Sequence, residues 1–268
     1  METFGSRADP AILLIMGGSA SMDWWRTEFC ERLAAGSRFV IRYDHRDTGE
    51  SVSYPPGAPG YSGDDLVADA AGILDALELP SADVVGQSMG GALAQLLALD
   101  HPDRVHSLTL ATTSFASTGP ADLPGMTDEL RAFFAKPEPE WSDRATAIDY
   151  LTAYARTLAS RSEPFDERDD RAMWNFVFDR STNIESSLKN HALMADGRER
   201  GRLSELEMPT LVIHGDEDPM FPAEHGVALA AEIPGARLLM LEHTGHELPR
   251  RVWDEVVPAI LEVTTSRR

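Results

Sequence analysis

Short apolar runs recur along the chain, separated by segments whose apolar positions repeat every three or four residues. The runs are residues 11–16 (AILLIM), 39–43, 82–85, 105–111, 210–214 and 236–241. Runs of this length, largely apolar rather than alternating, suit strands buried on both faces of a parallel sheet. Between them, Trp25, Phe29 and Leu33 mark a helix over residues 24–35, stopped by Gly36. Leu66, Ala70, Ile73 and Leu77 form the buried stripe of a helix that Asp64 and Asp65 open. Residues 92–99 are apolar nearly all round, as in a helix covered on every side. A helix is expected over 223–232. A last one, from about Leu248, has Val252, Val256 and Ile260 on one face and a kink expected at Pro258.

Strands alternating with helices predict an α/β fold, a mainly parallel sheet with helices on both faces. Residues 115–206 break the rhythm: no strand-like run appears, while 147–158 and 173–178 carry helical patterns. That stretch reads as a helical cap inserted into a core formed by residues 1–114 and 207–268. A length of 268 residues fits one core plus such an insertion. About six strands are expected, with one sheet edge exposed or covered by a neighbour, so a homodimer is a candidate assembly.

Charge narrows the partners. Twenty-four Lys and Arg against 44 Asp and Glu give a net charge of −20. Phosphate backbones and anionic lipid surfaces are repelled by such a field, which argues against nucleic acid and membrane, while cationic small molecules are favoured. No apolar run approaches the roughly 18 residues of a membrane helix, and residues 1–10 lack the apolar stretch of a secretory signal. The single cysteine, Cys30, forms neither an internal disulfide nor a zinc site, which suits a reducing cytoplasm.

Candidate chemistry centres on Gly86-Gln87-Ser88-Met89-Gly90, a G-x-S-x-G pattern placed between an apolar strand and a buried helix. A serine at such a strand-to-helix reversal needs very small neighbours, and the reversal aims the start of the next helix at its oxygen. The Met89 N–H then becomes a donor to a developing oxyanion, and Gly18, in the loop after the first apolar run, is the candidate second donor.

Serine needs a base. His246, in the loop after the last strand, is the best placed of eight histidines. His243 lies nearer the strand, His45 sits in an Arg/Asp-rich loop and His101 precedes Pro102. Asp216, Glu217 and Asp218 follow the strand over 210–214 and are candidate partners for the base; Pro219 holds Asp218 in an extended turn. No metal-ligand cluster, P-loop or G-x-G-x-x-G pattern points to a cofactor.

These stretches, with residues 13–18, 41–49, 211–218 and 245–249, resemble the α/β-hydrolases over nearly the whole chain. Within them the chain is most similar to bacterial serine esterases of the aclacinomycin methylesterase type. The resemblance implies Ser88 as nucleophile, Asp218 as acid, His246 as base, and Gly18 and Met89 as the oxyanion hole. Relatives of this fold usually begin with a hairpin of two strands, for which residues 1–10 are too short, so the hairpin is expected to be lacking.

The expected activity is cofactor-independent hydrolysis of a small-molecule carboxylic ester through an acyl-enzyme. Competing readings are a haloperoxidase-like perhydrolase, a general short-chain esterase or lipase, a carbon–carbon hydrolase or lyase, and a non-catalytic ligand receptor of the same fold. Receptors of this kind typically lose the histidine, which this chain keeps. Phe133, Trp141 and Trp174 of the cap are candidate pocket residues, with Trp24, Trp25, Met220 and Phe221 near the rim. Aromatics and methionines suit a broad, flat ligand, and the resemblance points to methyl esters of glycosylated aromatic polyketides bearing cationic amino sugars.

Overall fold

The apolar runs form a seven-stranded sheet in the computed structural model, which describes residues 1–116, 119–194 and 202–265. In chain order the strands are β1 (Glu2–Phe4), β2 (Ala11–Ile15), β3 (Phe39–Arg42), β4 (Ala82–Gln87), β5 (Val105–Ala111), β6 (Thr210–Gly215) and β7 (Arg237–Leu241). The helices are α1 (Thr27–Ala35), α2 (Gly63–Ala76), α3 (Met89–Asp100), α4 (Asp128–Phe134), α5 (Arg144–Leu158), α6 (Glu167–Arg180), α7 (Ile184–Leu193), α8 (Glu224–Glu232) and α9 (Trp253–Thr265). Sheet order is β1-β3-β2-β4-β5-β6-β7, and β2 to β7 run parallel.

Side chains alternate across the pleat and feed two cores. Leu13 and Ile15 point to the face covered by α2, α3 and α8, where Leu66, Leu74, Leu97 and Leu229 are fully buried. Ile12 and Leu14 point to the other face, against Phe29 and Leu33 of α1 and Val256 and Ile260 of α9. Both faces are therefore dry, which is why the strands read as apolar runs. Between β5 and β6 lie α4 to α7, with a smaller core of their own around Trp141, Leu151, Met173, Trp174 and Val177. The stretch expected to be a cap includes residues 117–118 and 195–201, which lie outside the described residues.

The amino terminus departs from expectation. The sheet has seven strands rather than about six, because Glu2–Phe4 forms a strand antiparallel to β3. Three residues suffice, since the segment joins the outer edge of β3 instead of folding back on β2. No hairpin forms there among the described residues. Gly5, at φ 79°, turns the chain where a side chain would meet the Arg38 carbonyl at 2.2 Å. Arg42, only 5% exposed, clamps the strand: its Nε donates to Glu2 Oε2 at 2.9 Å and its guanidinium lies 5.1 Å from the centre of the Phe4 ring.

Two helix starts also move. Met22–Trp24 is a separate 3-10 turn ahead of α1, and Arg250–Val252 is another ahead of α9, which runs through Pro258 to Thr265. Apolar spacing alone does not distinguish a 3-10 turn from the first turn of an α-helix.

Arg42→Ala is expected to release β1 while leaving the central sheet intact. Amide hydrogen exchange should then show lost protection in residues 2–4 with β2 and β4 unchanged. Full protection in β1 would show that backbone pairing alone holds it.

Candidate active site

β4 ends at Gln87 and α3 begins at Met89, so Ser88 alone carries the reversal between them. It does so at φ 53°, ψ −122°, outside the regions comfortable for an L-residue. Such strain costs of order 1–3 kcal/mol and persists only where the surroundings enforce it. Here glycines enforce it by letting backbone touch backbone. A side chain on Gly86 would meet the Gly90 carbonyl at 2.2 Å, and one on Gly90 the Ile15 carbonyl at 2.1 Å. The Ser88 N–H donates to the Ala111 carbonyl at 3.0 Å, and Thr113 Oγ1 donates to the Ser88 carbonyl at 2.7 Å.

The loops after β6 and β7 meet this turn. His246 Nε2 lies 2.9 Å from Ser88 Oγ, and its Nδ1 lies 2.8 Å from Asp218 Oδ2. A proton on Nδ1 donated to the carboxylate leaves Nε2 as the acceptor facing the serine. The His246 N–H is anchored on the Leu158 carbonyl at 2.8 Å. Gly245 makes that approach feasible, because a side chain there would meet the same carbonyl at 2.2 Å. The Phe221 ring, 5.6 Å away, packs edge-on against the imidazole.

The three acids after β6 divide sharply. Asp218 Oδ1 accepts the N–H groups of Met220 and Phe221 at 2.8 and 2.9 Å, while its other oxygen faces His246. Burial opposes its charge, but the adjacent His246 and His214 and these hydrogen bonds prevail and hold its pKa below the ordinary value. The stability it contributes is present above the usual carboxylate pKa of roughly 3.9 and is lost as pH falls through the lower folded value. Asp216 instead accepts the Thr244 N–H at 3.2 Å. Glu217 accepts from the Ser162 and Ser160 hydroxyls and the Arg161 N–H, which lower its pKa to about 2.

The loop after β2 completes the floor. Gly17 lies close enough that a side chain on it would sit 3.2 Å from Ser88 Cβ, and one on Gly18 would sit 3.5 Å from the Met89 sulfur. Met89 is the first residue of α3, so its N–H has no partner within the helix and carries the positive end of the helix dipole. His191 of α7 accepts the Ser19 N–H on Nδ1 at 2.8 Å, and its Nε2 donates to the Arg46 carbonyl at 2.9 Å. Burial holds the His191 pKa below its usual value, which favours the neutral ring that this pairing requires.

Above Ser88 opens a cavity of about 940 Å³, lined by Gly18, Met89 and His246 below and by Trp24, Phe133, Trp141, Trp174, Met220 and Phe221 around it. Trp24 meets Trp174 edge-on at 4.7 Å between ring centres.

The comparisons with known proteins agree with this architecture. Residues 10–249 match the family model described as the alpha/beta hydrolase fold. The chain belongs to the α/β-hydrolase family. It is 34% identical to the rhodomycin D methylesterase of Streptomyces peucetius, over 99% of this chain and 94% of that protein. Identity and coverage are the same for the rhodomycin D methylesterase of Streptomyces sp. strain C5. Among solved structures, the enol-lactonase of Burkholderia xenovorans LB400 superposes with a TM-score of 0.74 at 25% identity, over 99% of this chain and 95% of that one.

In this α/β-hydrolase, Ser88, Asp218, His246, Gly18 and Met89 come together at the carboxyl ends of the parallel strands. The other histidines lie elsewhere. His45 is buried with Nε2 donating to the Met16 carbonyl at 2.9 Å, His243 is exposed beside Glu217, and His101 ends α3. Trp25, expected near the rim, also lines the cavity, where it is buried and stacked on Phe29 at 5.5 Å. Of the large apolar residues of the insertion, Phe134, Phe176 and Leu193 are exposed. His191 and Asp170 also line the cavity, and sequence reasoning missed both. Neither stands in a motif; only the folding of the insertion over the sheet brings them there.

Gly90→Ala tests the backbone contact at the turn. The added carbon meets a carbonyl of β2, which no side-chain rotation relieves, so a loss of about 2 kcal/mol or more is expected in urea unfolding. A variant as stable as the parent would show that the turn tolerates more space than its geometry allows.

Proposed function

We propose that the protein is a cofactor-independent serine carboxylic ester hydrolase, acting on methyl esters of bulky polyketide-type acids. One observation carries the chemistry: Ser88 Oγ, His246 and Asp218 form a continuous chain of contacts at 2.9 and 2.8 Å on the floor of the cavity. His246 Nε2 takes the Ser88 proton as Oγ attacks the ester carbonyl. The developing oxyanion is held by the N–H groups of Met89 and Gly18. Asp218, acting through His246, fixes the reactive tautomer and balances the imidazolium. The alcohol leaves with the proton from His246. Water, deprotonated by the same ring, then attacks the acyl-enzyme and frees Ser88.

The cavity supports the substrate class. At about 940 Å³ it lies near the top of the usual range for small-molecule pockets, roughly 300–1,000 Å³, and suits several fused rings. Its walls are the indoles of Trp24, Trp141 and Trp174 with Phe133, rigid flat surfaces that favour an aromatic polycycle over a flexible acyl chain. The similarity to two rhodomycin D methylesterases supports a methyl ester. Helices α4 to α7 act in this reading as the cap that sets specificity. The intact His246 on Ser88 favours turnover over a ligand receptor. The reading places the enzyme in the reducing cytoplasm, where the buried thiol of Cys30 stays free.

Ser88→Ala is expected to lower hydrolysis of p-nitrophenyl esters by about three or more orders of magnitude, and to abolish labelling of the protein by a fluorophosphonate. Activity retained in the folded variant would overturn the mechanism.

The acids give a second test. Asp218→Asn should lower kcat by about three orders of magnitude, since the amide favours the wrong tautomer of His246, whereas Asp216→Asn should cost less than about ten-fold. Steady-state kinetics on one ester decide, and equal losses would refute the assignment.

A further inference from the structure

In the wall of the cavity one carboxylate lacks a partner. Asp170 of α6 is 8% exposed, lines the cavity, and has an Oδ2 that accepts no hydrogen bond. A buried charge left this way is unfavourable unless something binds it. Burial, with Asp169 and Glu247 nearby, pushes its pKa up to about 7 even though Arg26 works the other way. Trp174 stands four residues along the same helix, on the same face, and carries Trp24 against it. The indole nitrogens of both rings are buried without partners.

The cations of the cavity wall are already engaged. Arg26 pairs with Asp169 at 2.7 Å and Arg250 with Glu28 at 3.1 Å. Arg251 holds the His243 carbonyl and Thr244 Oγ1, and Lys136 lies over the Phe133 ring at 5.0 Å. Among the described residues Glu163, Asp166, Asp170 and Glu247 of the same wall form no ion pair, although Asp166 caps α6 and Glu247 accepts the Ser160 N–H. The wall therefore carries surplus negative charge beside indole faces, a combination that attracts an organic cation more than a neutral hydroxyl.

We propose that Asp170, with the indoles of Trp24 and Trp174, forms a subsite for an ammonium group carried by the substrate away from its ester. The inference rests on the ester-hydrolase reading for its meaning, but binding at the subsite is separable from turnover. An ammonium entering here gains a carboxylate and two π faces, and relieves the unpaired charge of Asp170. The subsite thus selects among bulky aromatic esters by charge, while Ser88 acts on whichever ester is presented.

The test uses two aryl methyl esters that differ only in a trimethylammonium or a tert-butyl group. The parent enzyme is expected to favour the cationic ester in kcat/KM by about ten-fold, and Asp170→Asn to abolish that preference through KM. No preference in the parent overturns the proposal, whatever the variant does. So does an equal proportional loss on both esters, which would make Asp170 structural. In parallel, the Ser88→Ala protein is titrated with phenyltrimethylammonium and indole fluorescence is read. Saturable quenching, weakened about ten-fold by adding Asp170→Asn, supports the subsite even if neither ester is hydrolysed, in which case only the ester-hydrolase reading fails. Quenching indifferent to Asp170→Asn overturns the subsite even if both esters are turned over.

Discussion

The structure turns on one contact of backbone with backbone: Gly90 of α3 against the Ile15 carbonyl at the end of β2. Helix α3 approaches so closely only because Gly90 has no side chain, while Gly86 gives room to the Gly90 carbonyl and Gly91 to the Thr113 side chain. The closeness forces the chain to reverse in a single residue and leaves Ser88 at positive φ. It also sets the start of α3 beside the loop after β2, since β2 and β4 are sheet neighbours. Met89 and Gly18 thus come to one place by topology. Adjacency of β4, β5, β6 and β7 brings Asp218 and His246 to the same end of the strands.

What the sequence makes legible follows from how local each cause is. The two-sided burial of β2 to β6 is written in their apolar runs, and the glycines around Ser88 sit within five residues of each other. Position alone does not say which of Asp216, Glu217 and Asp218 faces His246, although the family resemblance points to Asp218. The choice depends on which carboxylate receives the N–H groups of the turn at Met220 and Phe221 and faces His246, and the fold decides that. Strand β1 escaped because three residues carry no period, and its hold on the sheet comes from Arg42, forty positions away. His191 and Asp170 escaped for the same reason on a larger scale: each is an ordinary helical polar residue until the insertion folds over the sheet.

The polar segment after β3 explains how that insertion is held. Asp44, together with Asp23, accepts Arg180 of α6, at 2.7 Å in both cases. Asp47 receives Asn190 of α7 at 2.9 Å and Tyr61 at 2.7 Å, and Ser187 donates to its carbonyl. Thr182 donates to the Gly49 carbonyl at 2.8 Å. Buried ionic contacts of this kind add little net stability over apolar packing, since desolvation offsets most of the attraction. Their value lies in direction, because each fixes one register of helix against loop where apolar surfaces would slide.

That rigidity reaches the chemistry through His191. Its ring spans from the Arg46 carbonyl, in the same polar segment, to the Ser19 N–H beside Gly18. The loop that carries Gly18 is therefore braced by a helix whose neighbours roof the cavity. In the proposed mechanism Gly18 is an oxyanion donor, and such donors work only when held in place before charge develops, so freedom in the loop would there cost turnover. Apolar walls shape the cavity, and buried hydrogen bonds set where its floor stands. The division is physical: indoles and phenyl rings supply area without direction, whereas a neutral imidazole with one donor and one acceptor engaged has a single orientation. The walls of the cavity and the position of Gly18 are thereby carried by one assembly, α4 to α7 locked to the loops after β2 and β3.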